Sequence, residues 1–329
     1  MRARPRLADG TGPVLVVLLI LLVGLAFAGP AYAEPSGYLA LLKRAAPLVV
    51  LAVGQYFVIV SGGFDLSVGS LVTAEVVVAA RLVNGDDANT WWVIALLLGC
   101  GILVGLVNGL ITTKLLVPSF IVTLGMLLVL DGAVFLWSGG APRGALSPSF
   151  RVLGRGSADV PGLGQLPWSV IVLLVVLAAA VWFMRSGTGR TLLAVGDNEN
   201  VVRLAGGRVD RLRLLAFVLS ALLASVAAIL LAGFAGVSAQ VGEGLEFRAI
   251  TAVVLGGVLL GGGRGSVVAA AAGALSLEAL FSLLNLLGVS GALESAVQGV
   301  IIIAAVAYAA HGAGLQRVLR LRRPVPDTA

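Results

Sequence analysis

The sequence predicts an all-α, polytopic membrane protein, and three observations lead to that prediction. Hydrophobic residues make up 59% of the 329 residues, and charged residues make up only 12%, about half the usual share in a soluble domain. The mean hydropathy is +1.07. The apolar residues also fall into blocks of about twenty, which is the length of helix that crosses a bilayer.

Hydropathy divides the chain into about ten transmembrane helices, and we expect residues 1–329 to form one transmembrane domain. The first block also fits a secretory signal peptide, because basic residues precede the apolar run and AYA at 31–33 resembles a cleavage site. We favour an uncleaved span, since this block is about twenty residues long. The expected spans are 14–33, 45–60, 66–83, 91–113, 118–137, 168–184, 212–236, 249–262, 267–287 and 293–310.

The positions of the lysines and arginines indicate the orientation. Most of the 22 basic residues fall on the side that carries the N-terminus, and basic residues collect in cytoplasmic loops. We therefore expect cytoplasmic tails at 1–13 and 311–329 and a cytoplasmic loop at 185–211, whereas the Gly-, Pro- and Ser-rich residues 138–167 should form a loop outside. The same distribution explains the net charge of +6, so no nucleic-acid partner is expected.

A short helix is predicted within the cytoplasmic loop, in the sequence NENVVRLAG at 198–206. Asp197 or Asn198 can cap its N-terminus, because both side chains accept hydrogen bonds from free backbone N–H groups. Gly206 and Gly207 favour its termination.

A glycine-rich break, SGGFDLSVGS at 61–70, interrupts the apolar sequence. Asp65 and Ser67 can satisfy backbone groups at the start of the next helix, and the charge of Asp65 suits the positive end of the helix dipole. The break is either a capped turn or part of a polar passage, and both can hold together. The segment 58–72 also resembles 253–268, which suggests a weak internal repeat of the kind found in transporters.

Three carboxylates, Glu75, Asp131 and Glu278, fall near the middle of expected spans. A charge at the bilayer centre costs on the order of 3 kcal/mol, so such residues usually face a cavity or a partner. They either face water within the helix bundle or line a substrate passage. Three polar residues are further candidates for the passage, with hydrogen bonding between helices as the equal alternative: Asn108, Thr123 and Asn285.

The sequence argues against an enzyme with its own catalytic or metal centre. It contains one histidine, His311, and one cysteine, Cys100, which cannot build a metal cluster, a nucleophilic triad or a disulfide framework. The glycine run GGGRGS at 261–266 lacks the lysine of a phosphate-binding loop. We therefore expect no cofactor, no metal and no ATP site in this chain.

Several motifs, in collinear order, resemble those of the ribose-type sugar permeases. These permeases are membrane subunits of bacterial ATP-binding-cassette importers, within a superfamily that also includes branched-chain amino acid and nucleoside permeases. The resemblance covers roughly residues 45–306. The motifs are GGFDLSVGS, GLVNGLITTKLLVPSFIVTLGML at 105–127, AVGDNENVVRLAGGRVDRLRL at 194–214, AITAVVLGGVLLGGGRGSVV at 249–268 and NLLGVS at 285–290.

The resemblance implies a subunit of the bacterial cytoplasmic membrane that translocates a monosaccharide by alternating access. Its partners would be a cytoplasmic ATP-binding subunit that uses the ATP, an extracytoplasmic sugar-binding protein and a second permease subunit, either a copy or a paralogue. The loop at 185–211 would couple ATP hydrolysis to the spans. The residues at matching positions of this coupling loop are Asp197, Asn198, Glu199, Arg203 and Leu204.

Three alternatives stay open from the sequence. A nucleoside permease of the same superfamily would keep the architecture and change the substrate. A proton-coupled secondary carrier would use the intramembrane carboxylates and no ATPase. A membrane scaffold without transport activity is the third.

Overall fold

The computed structural model of the protein describes residues 11–160, 164–289, 291, 293–301 and 303–304. Most of the expected N-terminal tail and all of the C-terminal tail, with His311, lie outside the described residues. The chain is almost entirely helical, as predicted. The α-helices are α1 (Thr11–Ala28), α2 (Pro35–Val60), α3 (Val68–Val83), α4 (Thr90–Lys114), α5 (Ser119–Ser138), α6 (Pro148–Arg155), α7 (Trp168–Arg185), α8 (Gly187–Asp197), α9 (Glu199–Leu204), α10 (Val209–Ala235), α11 (Leu245–Leu255) and α12 (Val267–Leu286).

Short elements join these helices. Two 3-10 turns, Pro30–Ala33 and Asp87–Asn89, precede α2 and α4, and residues 293–301 are helical as well. An antiparallel hairpin of β1 (Ser157–Val160) and β2 (Gly164–Pro167) precedes α7, with Ser157 paired to Pro167.

Within the described residues, seven helices are long and apolar enough to cross a membrane: α1, α2, α4, α5, α7, α10 and α12. The count of about ten is therefore not confirmed. The expected span 66–83 corresponds to α3, which has only 16 residues. The expected span 249–262 is wrong, because α11 begins at Leu245 and has 11 residues. The helix ends at Leu255, and Gly257 follows two residues later with φ of +78°, a conformation that does not continue a helix.

Both hydrophilic segments that we expected to be loops contain helices. Residues 138–167 hold α6 and the hairpin, and 185–211 holds α8 in addition to α9. Serine caps explain both helices: Ser147 Oγ accepts a hydrogen bond from Phe150 N–H at 3.1 Å, and Ser186 Oγ accepts one from Gly189 N–H at 3.2 Å. Polar and glycine-rich composition concealed these helices from hydropathy.

The interior of the protein is organised around α10, which packs against α2, α3 and α4. Gly101, Gly105 and Gly109 of α4 lie directly on the backbone of α10, and a methyl group at Gly105 would approach the carbonyl oxygen of Phe217 to 2.6 Å. Small residues at this spacing let membrane helices pack closely. By contrast, α1 and α5 expose most of their residues.

The two glycine-rich breaks of the chain lie in contact with each other. One break, residues 61–67, joins α2 to α3, and the other, residues 256–266, joins α11 to α12. Gly263 N–H donates a hydrogen bond to the carbonyl oxygen of Val60 at 3.0 Å. The internal repeat inferred from these sequences is not confirmed, but the breaks form one structural junction.

Candidate functional site

Asp65 lies in the interior, with no exposed surface. Its Oδ1 accepts hydrogen bonds from Ser67 N–H at 3.1 Å and from Ser67 Oγ at 2.6 Å, and its Oδ2 accepts one from Ser220 Oγ of α10 at 3.0 Å. This is a capped turn in which the bonded N–H belongs to the residue just before α3. Hydroxyl groups thus compensate the burial of the carboxylate, as buried polar groups require.

Two more polar side chains bind the same turn. Asn108 of α4 donates from Nδ2 to Ser67 Oγ at 2.9 Å. The Gln55 amide of α2, oriented to satisfy both of its groups, donates to Asp65 O at 3.0 Å and accepts from Asp65 N–H at 3.3 Å. We call Gln55, Asp65, Ser67, Asn108 and Ser220 the polar knot. It ties α2, α4 and α10 to the break.

Thr123 holds the same break to α5. Its hydroxyl lies 3.3 Å from Phe64 O and 2.9 Å from Ser119 O, while Ser119 Oγ accepts from Phe64 N–H at 3.1 Å. Asp65, Ser67, Asn108 and Thr123, four predicted candidates for the passage, therefore meet around one turn.

Glu75 is buried elsewhere, between α3 and α10. Its Oε1 accepts a hydrogen bond from Ser225 Oγ at 2.6 Å. Its Oε2 is buried and has no hydrogen-bond partner among the described residues. Glu75 belongs to neither the polar knot nor the cavities described next.

A cavity of about 610 Å³, the outer cavity, opens between α3, α5 and the segment that joins α10 to α11. Asp131 lines it with an exposed side chain, and Glu243 is likewise exposed. Ser70 and Glu246 also line it but are only 6% exposed. Of these residues, only Asp131 was a candidate from sequence, because Glu243 and Glu246 fall between the expected spans 212–236 and 249–262.

Glu278 and Asn285 lie in a second cavity of about 290 Å³, beside α2, α11 and α12. Two basic residues share it: Arg248, whose Nη2 lies 3.3 Å from Glu294 Oε2, and Arg44, which donates to Tyr32 Oη at 2.9 Å. The three intramembrane carboxylates thus occupy three separate places. The two arginines near Glu278 come from other helices, so the sequence of its own span gave no sign of them.

Within residues 185–211, the short helix α9 begins and ends as predicted. Asn198 is its N-cap, accepting from Val201 N–H at 3.1 Å, and Gly206 follows with φ of +79°. Asp197 ends α8 and is exposed. Two apolar side chains of α9 are exposed, Val201 to 59% and Leu204 to 89%.

Ion pairs join α9 to the start of α10. Glu199 pairs with Arg203 at 2.8 Å and with Arg213 at 2.7 Å, and Arg203 also pairs with Asp210 at 2.6 Å. Partial burial raises the pKa of Glu199, but the hydrogen bonds and charges of the two arginines outweigh it and hold the pKa below its ordinary value. Arg213 Nε also lies 3.4 Å from Ser61 O, at the first break.

Backbone contacts join α8 to the end of α2 and to the second break. A methyl group at Gly196 would overlap Val60 O and lie 2.5 Å from Gly263 N, and one at Gly263 would lie 2.5 Å from Asp197 Cα. The end of α8 therefore touches the end of α2 and the second break with no side chain between them. In the residues searched, no group of His, Cys, Asp and Glu has the arrangement of a metal site.

Comparisons with known proteins match this chain to permease components of transport systems. Residues 37–306 match the family model described as branched-chain amino acid transport system / permease component. The ribose import permease protein of Escherichia coli strain K12 is 36% identical over 89% of this chain and 91% of its own length, and that of Bacillus subtilis strain 168 is 36% identical over 90% and 91%. The autoinducer 2 import system permease protein of Enterobacter sp. strain 638 is 38% identical over 73% and 68%. No solved structure matches the chain.

Proposed function

Because the chain belongs to the branched-chain amino acid transport system permease component family, we propose that it is the membrane-spanning subunit of an ATP-driven importer of a monosaccharide. The observation that carries this proposal is the similarity to ribose import permeases of two bacteria over about nine-tenths of the chain. A nucleoside substrate is not favoured, since the relatives named above are permeases for ribose and autoinducer 2.

The proposed setting is the bacterial cytoplasmic membrane, with both termini in the cytoplasm. A separate ATP-binding subunit would meet α9 there, and an extracytoplasmic sugar-binding protein would deliver substrate to the outer cavity. The charge distribution supports this orientation, because α7 to α10 present Arg185, Arg190, Arg208 and Arg211 on the side of α9.

A second permease subunit, a copy or a paralogue, is supported by the surroundings of Asp131. This side chain is exposed in the middle of α5, a helix that is itself mostly exposed. In contact with lipid, such a charge would cost about 3 kcal/mol. A second subunit against α5 would enclose the outer cavity and remove that cost.

The coupling mechanism follows from the contacts of α8 and α9. Leu204 and Val201 offer an apolar surface to the ATP-binding subunit, and Glu199 connects α9 through Arg213 to the first break. The contacts of Gly196 connect α8 to the end of α2 and to the second break. Closure of two ATP-binding subunits would thus displace α8 and α9 as one rigid unit and rock the helices about the breaks, which gives alternating access.

Uptake of radiolabelled D-ribose into proteoliposomes tests the function. The permease is reconstituted with its ATP-binding subunit and binding protein, and import should require ATP and stop when the ATP-binding subunit is inactivated. Uptake that persists without the ATPase, but collapses with the proton gradient, would establish the secondary carrier. Purified protein that transports under neither condition would favour the scaffold.

The coupling proposal predicts different outcomes for two glycines of α8. Gly196→Ala should reduce ATP-dependent uptake at least tenfold while ATP hydrolysis continues, because its methyl group would overlap Val60 O. Gly187→Ala, in the same helix, is the matched control, since nothing lies within 4 Å of the added carbon. Normal uptake by Gly196→Ala at normal membrane levels would contradict the proposed contact path.

A further inference from the structure

The outer cavity has walls of one sign of charge. Asp131, Glu243 and Glu246 line it, and no lysine or arginine is among the described residues that do so. Arg81 and Arg143 line a separate cavity of about 320 Å³, which shares Ser138 with the outer cavity. A cleft lined by charges of one sign attracts ligands of the opposite charge and repels ligands of the same charge.

Ser70 supplies an independent indication of a ligand. This residue is only 6% exposed and lines the outer cavity, and its hydroxyl makes no hydrogen bond with any described residue. Thr73, one helical turn further along α3, lines the same wall and accepts a hydrogen bond from Gly242 N–H at 3.0 Å. Buried hydroxyls normally form hydrogen bonds, and the hydroxyl of Ser70 is therefore available to a ligand in the cavity.

Glu246 stands beside these hydroxyls in a fixed position. Its Oε2 lies against Gly69 of α3, where a methyl group would overlap it, and the side chain is 6% exposed. Asp131 and Glu243 approach from other elements and are exposed. Carboxylates accept hydrogen bonds from sugar hydroxyls and attract ammonium groups, whereas they repel phosphate and carboxylate groups.

We propose that Asp131, Glu243, Glu246 and Ser70 make the outer cavity a charge filter within the passage. It favours polyhydroxylated compounds that carry a protonated amine, accepts neutral sugars less well, and excludes sugars that carry a phosphate or a carboxylate. This inference rests on the proposed function, because it assigns the substrate class of the same passage.

The single cysteine of the chain permits a direct measurement. In a Cys100→Ser background, Ser238→Cys places a thiol on the wall of the cavity, and Ser157→Cys in β1 places one on the exposed surface. Both are treated, in the reconstituted complex, with a cationic trimethylammonioethyl and an anionic sulfonatoethyl methanethiosulfonate. The cation-to-anion ratio of reaction rates should be roughly tenfold higher at position 238 than at position 157.

Removing the charges should abolish that preference. With Asp131→Asn, Glu243→Gln and Glu246→Gln combined, the ratio at position 238 should fall to the value at 157, whereas Asp159→Asn, an exposed carboxylate of β1, should leave it unchanged. Equal ratios at the two positions in the parent protein would overturn the filter.

Competition experiments then compare ligands of different charge. Competition with D-ribose uptake should be strongest for D-glucosamine and absent for D-ribose 5-phosphate, and the ranking should flatten in the triple variant. If D-ribose is not imported but the cation-to-anion ratio at position 238 is raised as expected, the proposed function is wrong and the charge filter is supported. If D-ribose is imported and the phosphate competes equally, the filter fails alone.

Discussion

The polar knot and the outer cavity each contain an aspartate: Asp65 follows an apolar run, and Asp131 lies within one. The two carboxylates differ in their hydrogen-bond partners. Asp65 is fully buried and accepts three hydrogen bonds from Ser67 and Ser220. Asp131 is exposed on a cavity wall and takes part in no hydrogen bond or ion pair among the described residues. One carboxylate is satisfied by the fold, and the other is left available to a ligand.

The difference shows that depth in a membrane does not by itself identify a transport residue. A buried carboxylate whose oxygens are bonded by neighbouring helices stabilises the fold. A carboxylate that lines a cavity without partners can exchange water for substrate. Three pairs of substitutions test this division, from the largest expected effect to the smallest.

The largest effect is expected when each aspartate is replaced by alanine. Asp65→Ala leaves the Ser67 N–H, the Ser67 hydroxyl and the Ser220 hydroxyl without their acceptor, at about 1 kcal/mol for each bond. We expect a loss of about 3 kcal/mol in the free energy of unfolding, with little monodisperse protein in gel filtration. Asp131→Ala should keep normal yield and change only uptake; equal yields of the two variants would refute the division.

An intermediate effect is expected at Gly69, where α3 meets the loop of the outer cavity. A methyl group there would overlap Glu246 Oε2 and lie 2.6 Å from Gly242 O, and overpacking of this kind costs about 1–3 kcal/mol. Gly69→Ala should lower the melting temperature and alter uptake together. The control is Gly99→Ala in α4, because nothing lies within 4 Å of the added carbon there; this variant should have the melting temperature of the parent protein. A normal melting temperature for Gly69→Ala would show that Glu246 and the loop move aside at little cost.

The smallest effect distinguishes two buried serines. Ser220→Ala removes one hydrogen bond to Asp65 and should lower the free energy of unfolding by about 1 kcal/mol. Ser70→Ala removes a hydroxyl that bonds no described residue, so stability should stay within about 0.5 kcal/mol of the parent while the Km for uptake rises a few-fold. Chemical denaturation and uptake kinetics measure both, and the reverse pattern would assign Ser70 to the fold.

Much of this fold follows from local sequence. Long apolar blocks predicted the seven long helices, and Asn198 with Gly206 predicted the bounds of α9. The capped turn at Asp65 was also among the sequence interpretations, because its donors lie mostly two residues away. Family motifs supplied the class of protein.

The rest depends on contacts between distant segments. Because α11 begins at Leu245 rather than at 249, Glu246 and Arg248 lie on a helix, and they line different cavities. Glu278 shares its cavity with Arg44, more than two hundred residues earlier in the chain. Hydropathy and residue spacing within one span carry no information about such neighbours.

The junction of Gly196, Val60 and Gly263 is made by main-chain atoms alone. Its geometry is therefore indifferent to which amino acids face the cargo at the far end of the bundle. Under the proposed mechanism, substitutions in the outer cavity that change the transported compound should leave this main-chain junction intact.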